Sequence, residues 1–442
     1  MTTTRPATPT YRREDVDVGI VHVGVGGFHR AHQAMYVDRL LNAGAAREWG
    51  ICGVGVLDGD RRMRDALAAQ DFRYTLVEKH ADGHRDARVI GAIVDHLFAP
   101  EQVEAVVERI AAPTTRIVSL TITEGGYGDA ADAPPLSAFG LVTAALARRR
   151  ARGLRGFTVM SCDNLPHNGR VARAAFTDYA ARRDPDLAEW LAEAVRFPSS
   201  MVDRITPATT DADRDEVRER YGIEDRWPVV CEPFAQWVLE DAFSDGRPPL
   251  EDAGVQLVAD VEPYETMKLR LLNAGHQALG HLGALAGHRL VHEAADDPPL
   301  ARFLRRYMDD EATPTLAPVP GIDLEDYKST LVARFRNREI SDTLDRLRTD
   351  ASDRIAQFVL PVIRDRLAAG GDVTCAAAIV AAWARGLEDP AVAAVPDRQG
   401  TPDPRRLLGE LADHPSFAGA YASALDALRE RGVRATLHGL GG

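Results

Sequence analysis

Within Tyr264–Gly283, which reads YETMKLRLLNAGHQALGHLG, four polar side chains sit among leucines and alanines: Glu265, Lys268, Asn273 and His276. Pro263 suits a first helical turn, and at 3.6 residues per turn the four fall within an arc of about 140°. Leu271 and Ala274 point elsewhere. A carboxylate, a lysine, an amide and an imidazole on one side of an apolar helix form either a solvated stripe or a polar pocket. In a pocket they suit proton transfer at a hydroxyl. Lysine is a poor base at its reference pKa of about 10.4. Burial or a neighbouring positive charge lowers that value toward the range of about 7–8 that is useful near neutrality. Asparagine amides donate without carrying a proton that can be lost, which suits them to steady an alkoxide.

A second chemistry is written near the start. The apolar run VDVGIVHVG, Val16–Gly24, predicts a buried strand that enters Gly24-Val25-Gly26-Gly27-Phe28 and then a helical pattern through Met35, Leu40 and Leu41. Strand, glycine turn and helix make the first unit of a dinucleotide-binding fold, in which glycines let backbone approach a pyrophosphate. The match to GxGxxG is incomplete, because His29 takes the place of the third glycine. A second buried strand is expected at Gly50–Val56, followed by Asp58 and Asp60. Carboxylates there can accept bonds from ribose hydroxyls and repel a 2′-phosphate, favouring NAD over NADP. Arg61 and Arg62 leave NADP open, since a guanidinium could accept that phosphate.

The elements that must position these residues follow in order. Further strands are expected at Phe72–Val77, Ala87–Val94, Arg116–Thr123, Gly156–Cys162, Pro228–Cys231 and Val255–Val261, with helices at Glu101–Ala112 and Ala138–Ala151. Such alternation implies α/β architecture, a largely parallel sheet with its ligand at the strand carboxyl ends. Two of those ends carry unusual residues, Glu124-Gly125-Gly126-Tyr127 and Asp163-Asn164-Leu165-Pro166-His167-Asn168-Gly169, which also read as ordinary turns. Beyond Tyr264 amphipathic helices dominate, at Leu300–Asp309, Ile340–Thr349, Asp353–Ala369, Val373–Gly386 and Pro415–Glu430. The domain boundary is therefore expected near residue 262, with a Rossmann-like domain over 1–262 and a mostly α-helical one over 263–442.

Composition narrows the function classes. The 442 residues carry 45% hydrophobic and 27% charged side chains, an ordinary globular balance, with a formal net charge of −13. That charge argues against nucleic acid as a partner, because no basic excess exists to replace phosphate counterions. Cys52, Cys162, Cys231 and Cys375 are too few and too scattered for a disulfide framework, and with no CxxC pair a structural zinc site is not expected. His29 and His32 could pair, yet no metal ligand set is assigned. The opening MTTTRPATPTYRRED lacks the apolar core of a signal peptide, and no apolar run reaches membrane-spanning length, so a cytoplasmic protein without membrane partners is expected.

Six motifs in one order resemble a known family: GVGGFHRAHQ (Gly24–Gln33), SLTITEGGY (Ser119–Tyr127), SCDNLPHNG (Ser161–Gly169), MVDRITP (Met201–Pro207), VVCEPFAQWVLED (Val229–Asp241) and KLRLLNAGH (Lys268–His276). The similarity continues through APVPGIDLEDYK (Ala317–Lys328), and the family is that of the polyol-specific long-chain dehydrogenases, or mannitol dehydrogenases. The resemblance implies a metal-independent, NAD-dependent secondary alcohol dehydrogenase acting on a small polyol or ketose held in a cleft between two domains. By the same resemblance Lys268 is the general base, Asn164 and Asn273 flank the reacting oxygen, and Glu265 helps exchange the proton with solvent. His276, Asp203 with its neighbour Val202, and Arg346 correspond to substrate contacts, while Gly24, Gly26, Gly27, Phe28, Asp58 and Asp60 fall in the cofactor site. Family members are often monomeric, which admits a monomer here.

Two departures bear on specificity. Gly59 stands where the family has a second acidic residue, and Arg354 takes a lysine position among the substrate contacts. Arginine and lysine are not equivalent donors, so mannitol, arabinitol and sorbitol all remain open. A hexuronate reductase of the same family, with Arg354 or Lys328 meeting the carboxylate, is the nearest alternative. A non-catalytic NAD-binding sensor and an S-adenosylmethionine methyltransferase also use glycine turns, but neither needs the lysine constellation.

Overall fold

In the computed structural model, which describes residues 5–128, 130–390, 392–393, 395–397 and 403–440, the chain divides into two units, Met1–Glu262 and Pro263–Gly442. The first holds eleven strands among its described residues: β1 Val18–Val23, β2 Gly50–Gly55, β3 Tyr74–Lys79, β4 Arg85–Ile90, β5 Ile93–Phe98, β6 Ile117–Leu120, β7 Thr158–Ser161, β8 Ser200–Asp203, β9 Val229–Cys231, β10 Gln236–Glu240 and β11 Gln256–Val258. The main sheet runs β5-β2-β1-β6-β7, parallel throughout. This is the Rossmann-like sheet that the alternation of strands and helices predicts.

Its sequence explains its burial. All six residues of β1 and all six of β2 are buried, as expected of central parallel strands covered on both faces. Alternation then sorts the side chains. Val21, Val23, Cys52, Val54, Val118, Leu120 and Val159 enter one core with the helices Ala99–Ala111, Ala138–Ala151 and Asn168–Ala181. Ile20, Ile51, Ile117 and Met160 enter the other, with the helix Gln33–Asn42. A two-residue period thus builds a three-layer sandwich from one sheet.

Two smaller sheets, β11-β10-β8 and β4-β3-β9, are mixed. The strand expected at Ala87–Val94 is in fact two, β4 and β5, broken at Gly91 and Ala92, and they serve different sheets. Strands β8 and β10 have no counterpart among the sequence expectations; they pair antiparallel with each other over four residues, a non-local contact.

Among its described residues the second unit contains helices and no named strand. The stretch Glu262–Leu285 is one long helical run, but Leu269–Asn273 within it is a π turn. Two more π turns lie at Tyr307–Ala312 and Ile355–Val359. The helix expected over Ile340–Thr349 is shorter, Leu344–Arg348, because Ser341 adopts a left-handed backbone (φ +51°) and Thr343 caps the start. No helix of the described residues is long and apolar enough to cross a membrane.

Burial of polar groups sets the acid stability. His22 is pushed down to about 3 and His32 and His96 to about 4, with His29 also lowered, each chiefly by burial. In the second unit burial lowers His276 and His281 likewise. Below pH about 6.5 the unfolded chain takes up protons that these sites refuse, so stability present near neutrality is lost as pH falls toward 4. Each such histidine removes up to about 1.4 kcal/mol per pH unit. Glu311, pushed up to about 7 mainly by burial, works in the opposite sense: its contribution is complete below its unfolded pKa and is lost as pH rises through 7. Asp38, also raised chiefly by burial, acts in the same sense as Glu311, and six groups outweigh two. Thermal melts should therefore show Tm falling steadily between pH 7 and pH 5; a flat Tm over that interval would contradict the assignment of neutral buried imidazoles.

Candidate active site

In the first unit, the turn after β1 is shaped by Gly24. Its φ of +94° is left-handed, and a Cβ there would lie 2.2 Å from the carbonyl oxygen of Thr121, so only glycine lets the turn approach the end of β6. Gly26 is different. Its backbone is extended (φ −104°, ψ −175°), and a Cβ would meet nothing closer than the Gly24 carbonyl at 3.9 Å. The protein itself does not require glycine at 26, whereas a pyrophosphate approaching the backbone would. Gly27 opens the short helix Gly27–Ala31, and Phe28 on it stacks on His32 with ring centroids 4.9 Å apart.

Histidines and hydroxyls form the floor of this turn. His22 Nδ1 lies 2.8 Å from Ser119 Oγ and its Nε2 2.9 Å from Thr121 Oγ1, while Ser119 Oγ donates to Gln33 Oε1 at 2.8 Å. His29 stacks on His22 at 3.4 Å, and His32 instead places Nε2 3.0 Å from the Gln236 carbonyl. The two histidines of the glycine motif therefore have separate partners.

Asp60 stands just beyond β2, where its Oδ2 accepts the Val56 and Leu57 N–H groups at 2.9 Å each. Asp58 is exposed. Arg61 pairs with Glu101 and lies over the Phe98 ring at 4.8 Å, and Arg62 lies over Trp227 at 5.3 Å. Both guanidiniums thus have protein contacts of their own. The residues present fit a dinucleotide whose ribose hydroxyls meet a carboxylate, and they offer a 2′-phosphate less.

The ends of β6 and β7 are joined by one carboxylate. Asp163 Oδ1 accepts the Thr123 N–H at 2.8 Å, and its Oδ2 accepts the Tyr127 hydroxyl at 2.8 Å. This bond set fixes the loop that carries the partly buried Asn164. Buried Asn168 continues the chain: its Nδ2 donates to the carbonyls of Asp163 (3.0 Å) and Ser200 (2.7 Å), and its Oδ1 accepts the Ser200 N–H at 2.9 Å. Asn164 is thereby tied to β8, on which Val202 and Asp203 are buried. Sequence reading named Asn164 and missed Asp163 and Asn168 as the groups that hold it.

Arg204 pairs with Glu78 at 2.5 Å and donates to the carbonyls of Glu232 and Ala31.

In the second unit, Glu265, Lys268, Asn273 and His276 are all buried, between 5% and 8% exposed, which excludes a solvated stripe. The π turn after Lys268 holds one residue more than an α turn and sets everything beyond it back by about 100°, narrowing the four-residue arc from about 140° to about 80°. Asn273 Oδ1 and His276 Nε2 are buried without a hydrogen-bond partner among the described residues. Burial holds His276 well below its ordinary pKa, and the charges of Arg346, Arg334, Arg354 and Lys268 push the same way. Its ring is therefore neutral near neutral pH, able to donate or accept.

Arg346 lies on the short helix Leu344–Arg348, which Gln277 docks through a 3.1 Å bond from its Nε2 to the Leu347 carbonyl. It pairs with Asp342, and its side chain is 43% exposed. Arg354 donates toward the Arg346 and Leu347 carbonyls at 3.4 and 3.3 Å. Like Lys268, it immediately precedes a π turn. Lys328 is buried and bound by Asp309 and Glu325, which gives its charge a structural use. Sequence reading missed Arg334, which is buried on the helix Leu324–Phe335 and acts electrostatically on His276. The signal was present: buried positions 327, 328, 331, 334 and 335 of that helix follow one face and include two cations.

Comparison with known proteins gives consistent matches along the chain. The profile of the mannitol dehydrogenase Rossmann domain matches residues 18–252, and that of the mannitol dehydrogenase C-terminal domain matches residues 260–395. Mannitol 2-dehydrogenase of Phaeosphaeria nodorum is 44% identical, with 97% of this chain and 82% of that protein covered. The Aspergillus fumigatus mannitol 2-dehydrogenase is 43% identical, with 97% and 94% covered. Among solved structures, the Pseudomonas fluorescens mannitol 2-dehydrogenase in ternary complex with NAD and D-mannitol superposes with a TM-score of 0.93 at 46% identity, covering 99% of this chain and 96% of that one. A substrate-free D-sorbitol dehydrogenase superposes with a TM-score of 0.85 at 36% identity, covering 98% and 97%.

Proposed function

The chain belongs to the mannitol dehydrogenase family, and on that footing we propose that it is an NAD-dependent oxidoreductase interconverting a polyol and a ketose, mannitol and fructose or a close pair such as that of arabinitol. The observation that carries this is the buried array Glu265, Lys268, Asn273 and His276, a base and donors gathered where water is largely excluded.

Oxidation of a secondary alcohol requires removal of the hydroxyl proton and stabilisation of the alkoxide. Lys268 Nζ takes the proton. Asn164 and Asn273 donate amide N–H bonds to the oxygen as its charge develops, and the buried amide of Asn273 does so in a low-dielectric setting where such a bond is strong. Glu265 passes the lysine proton on toward solvent. His276, neutral, meets a substrate hydroxyl through Nε2, while Asp203, Val202, Arg346 and Arg354 contact the rest of the molecule. Gly24, Gly26, Gly27, Phe28, Asp58 and Asp60 would hold NAD, which when bound accepts the hydride. We place the enzyme in the cytoplasm, as a monomer, within this same proposal.

Titration calorimetry tests the cofactor assignment. NAD should bind more tightly than NADP, and Gly26→Ala should weaken NAD binding at least about tenfold through lost backbone approach while leaving Tm unchanged, since a Cβ at 26 has open space. Equal NAD affinity in the variant would contradict the site.

One observation favours the hexuronate alternative: the positive charges of Lys268, Arg334, Arg346 and Arg354 all act on His276, and an anionic substrate would be attracted there. Reduction of fructuronate or tagaturonate without oxidation of any polyol would establish it in place of the polyol assignment.

A further inference from the structure

We propose that the hairpin joining β3 to β4 is a binding site for a divalent cation of the zinc class, held by His80, His84 and Asp86. One ligand atom from each residue lies within 4.8 Å of the other two. His80 Nε2 is 3.2 Å from Asp86 Oδ2, and His84 Nε2 is 3.2 Å from Asp86 Oδ1. A tetrahedral ion about 2.0–2.1 Å from each donor would hold the donors about 3.4 Å apart. Each imidazole nitrogen is already about that far from one Asp86 oxygen, His80 from Oδ2 and His84 from Oδ1, so the carboxylate must turn to present a single oxygen to both. The two imidazoles, whose ring centroids stand 5.2 Å apart, must also turn toward the ion.

The backbone presents the three donors in advance. His80 N–H donates to the His84 carbonyl at 3.0 Å, so the two histidines oppose one another directly across the hairpin. Between them the turn is closed by Gly83 N–H to the His80 carbonyl at 3.0 Å, with Gly83 at φ +88°, and by Asp82 Oδ1 accepting the His84 N–H at 2.9 Å. Asp86 is two residues beyond His84, hence on the same face of β4. The opposite face is occupied: Lys79 and Arg85, paired in register, reach Asp213 and Glu216 on the helix Asp211–Tyr221. Glu78, which shares the histidine face, is held by Arg204 and Arg88. The strand pleat therefore separates a structural ion-pair side from a side carrying two imidazoles and a carboxylate.

That donor set selects among cations. Two imidazole nitrogens and one carboxylate oxygen suit Zn2+ and its borderline neighbours, whereas Mg2+ and Ca2+ prefer all-oxygen sites. Side-chain exposures of 32%, 59% and 53% leave the fourth position to solvent. The ion would clip the two strands of the hairpin together. It has no part in the alcohol oxidation proposed above, whose residues include none of these three.

Untagged protein, stripped with a chelator and dialysed, should be titrated with Zn2+ by calorimetry beside the double variant His84→Gln/Asp86→Asn. The wild type is expected to bind one Zn2+ per chain at micromolar concentration, more weakly as pH falls because imidazole must be unprotonated. The double variant should bind that equivalent at least about tenfold more weakly. Independently of the variant, saturating Zn2+ should raise the wild-type Tm, as any ligand of the folded state does, while Mg2+ should not. Equal Zn2+ affinity in wild type and variant, or no wild-type binding at micromolar Zn2+, would overturn the proposal.

Discussion

Replacing Lys268 by alanine should lower kcat/KM for polyol oxidation by about two to four orders of magnitude, the scale of a lost general base. The side chain is buried at the start of a π turn, in the helix that also carries Glu265, Asn273 and His276, so bulk water is a poor substitute for it. Far-ultraviolet circular dichroism and Tm establish that the variant is folded. NAD binding should persist, because the glycine turn and Asp60 belong to the first unit. Added small amines should restore part of the rate if only the base is missing. Lys268→Met, which fills the space without supplying a base, should be as slow as the alanine variant and should respond little to amines. A variant retaining wild-type kcat/KM would remove Lys268 from the mechanism.

Asn273→Ala should lower kcat by about 10²–10³, corresponding to roughly 3–4 kcal/mol of transition-state stabilisation, with a much smaller change in KM. The expectation rests on a buried amide whose place on the helical run, beside Lys268, is set by the π turn. Asn164→Ala should act in the same direction. The two substitutions together should cost less than the product of their separate effects if, as proposed, both donors serve one oxygen. An effect confined to KM would instead mean that these amides bind the alcohol equally in ground and transition states.

The parts of this architecture legible in the sequence are those governed by short-range pattern. The run of β1 and the left-handed demand at Gly24 are local, and so is the placement of Asp60 after β2. The polar set on the helix from 262 to 285 was also visible, as an arc computed for an ideal α-helix. The π turn was not, because hydrophobic periodicity carries no mark for one inserted residue, and the true arc is narrower. Strands β8 and β10 escaped for another reason: each is short, and they find each other across more than thirty residues. Asp163 and Asn168 lie in a string of turn-forming residues, and only the folded bonds to Thr123, Tyr127 and Ser200 reveal that they set the position of Asn164. Arg334 resembles any helix cation until its burial beside His276 is seen.

Glu311 illustrates how such buried polar groups serve the scaffold. Its carboxylate accepts the Cys375 and Ala376 N–H groups, satisfying the first turn of the helix Thr374–Glu388 from within a neighbouring π turn. Asp323 does the same for the helix Leu324–Phe335 that carries Lys328 and Arg334, and Thr343 for the helix that carries Arg346. Helix starts fixed in this way give the cationic side chains around His276 defined origins, a requirement for recognising several hydroxyls at once.

Polyol oxidation is measured most directly by the change in NADH absorbance when the purified wild-type protein meets NAD with D-mannitol, D-arabinitol or D-sorbitol, one at a time. Steady NADH formation is expected with at least one of these polyols, and a markedly slower rate when NADP replaces NAD. No reduction of NAD by any of the three, from a folded protein that binds NAD, would contradict the polyol assignment.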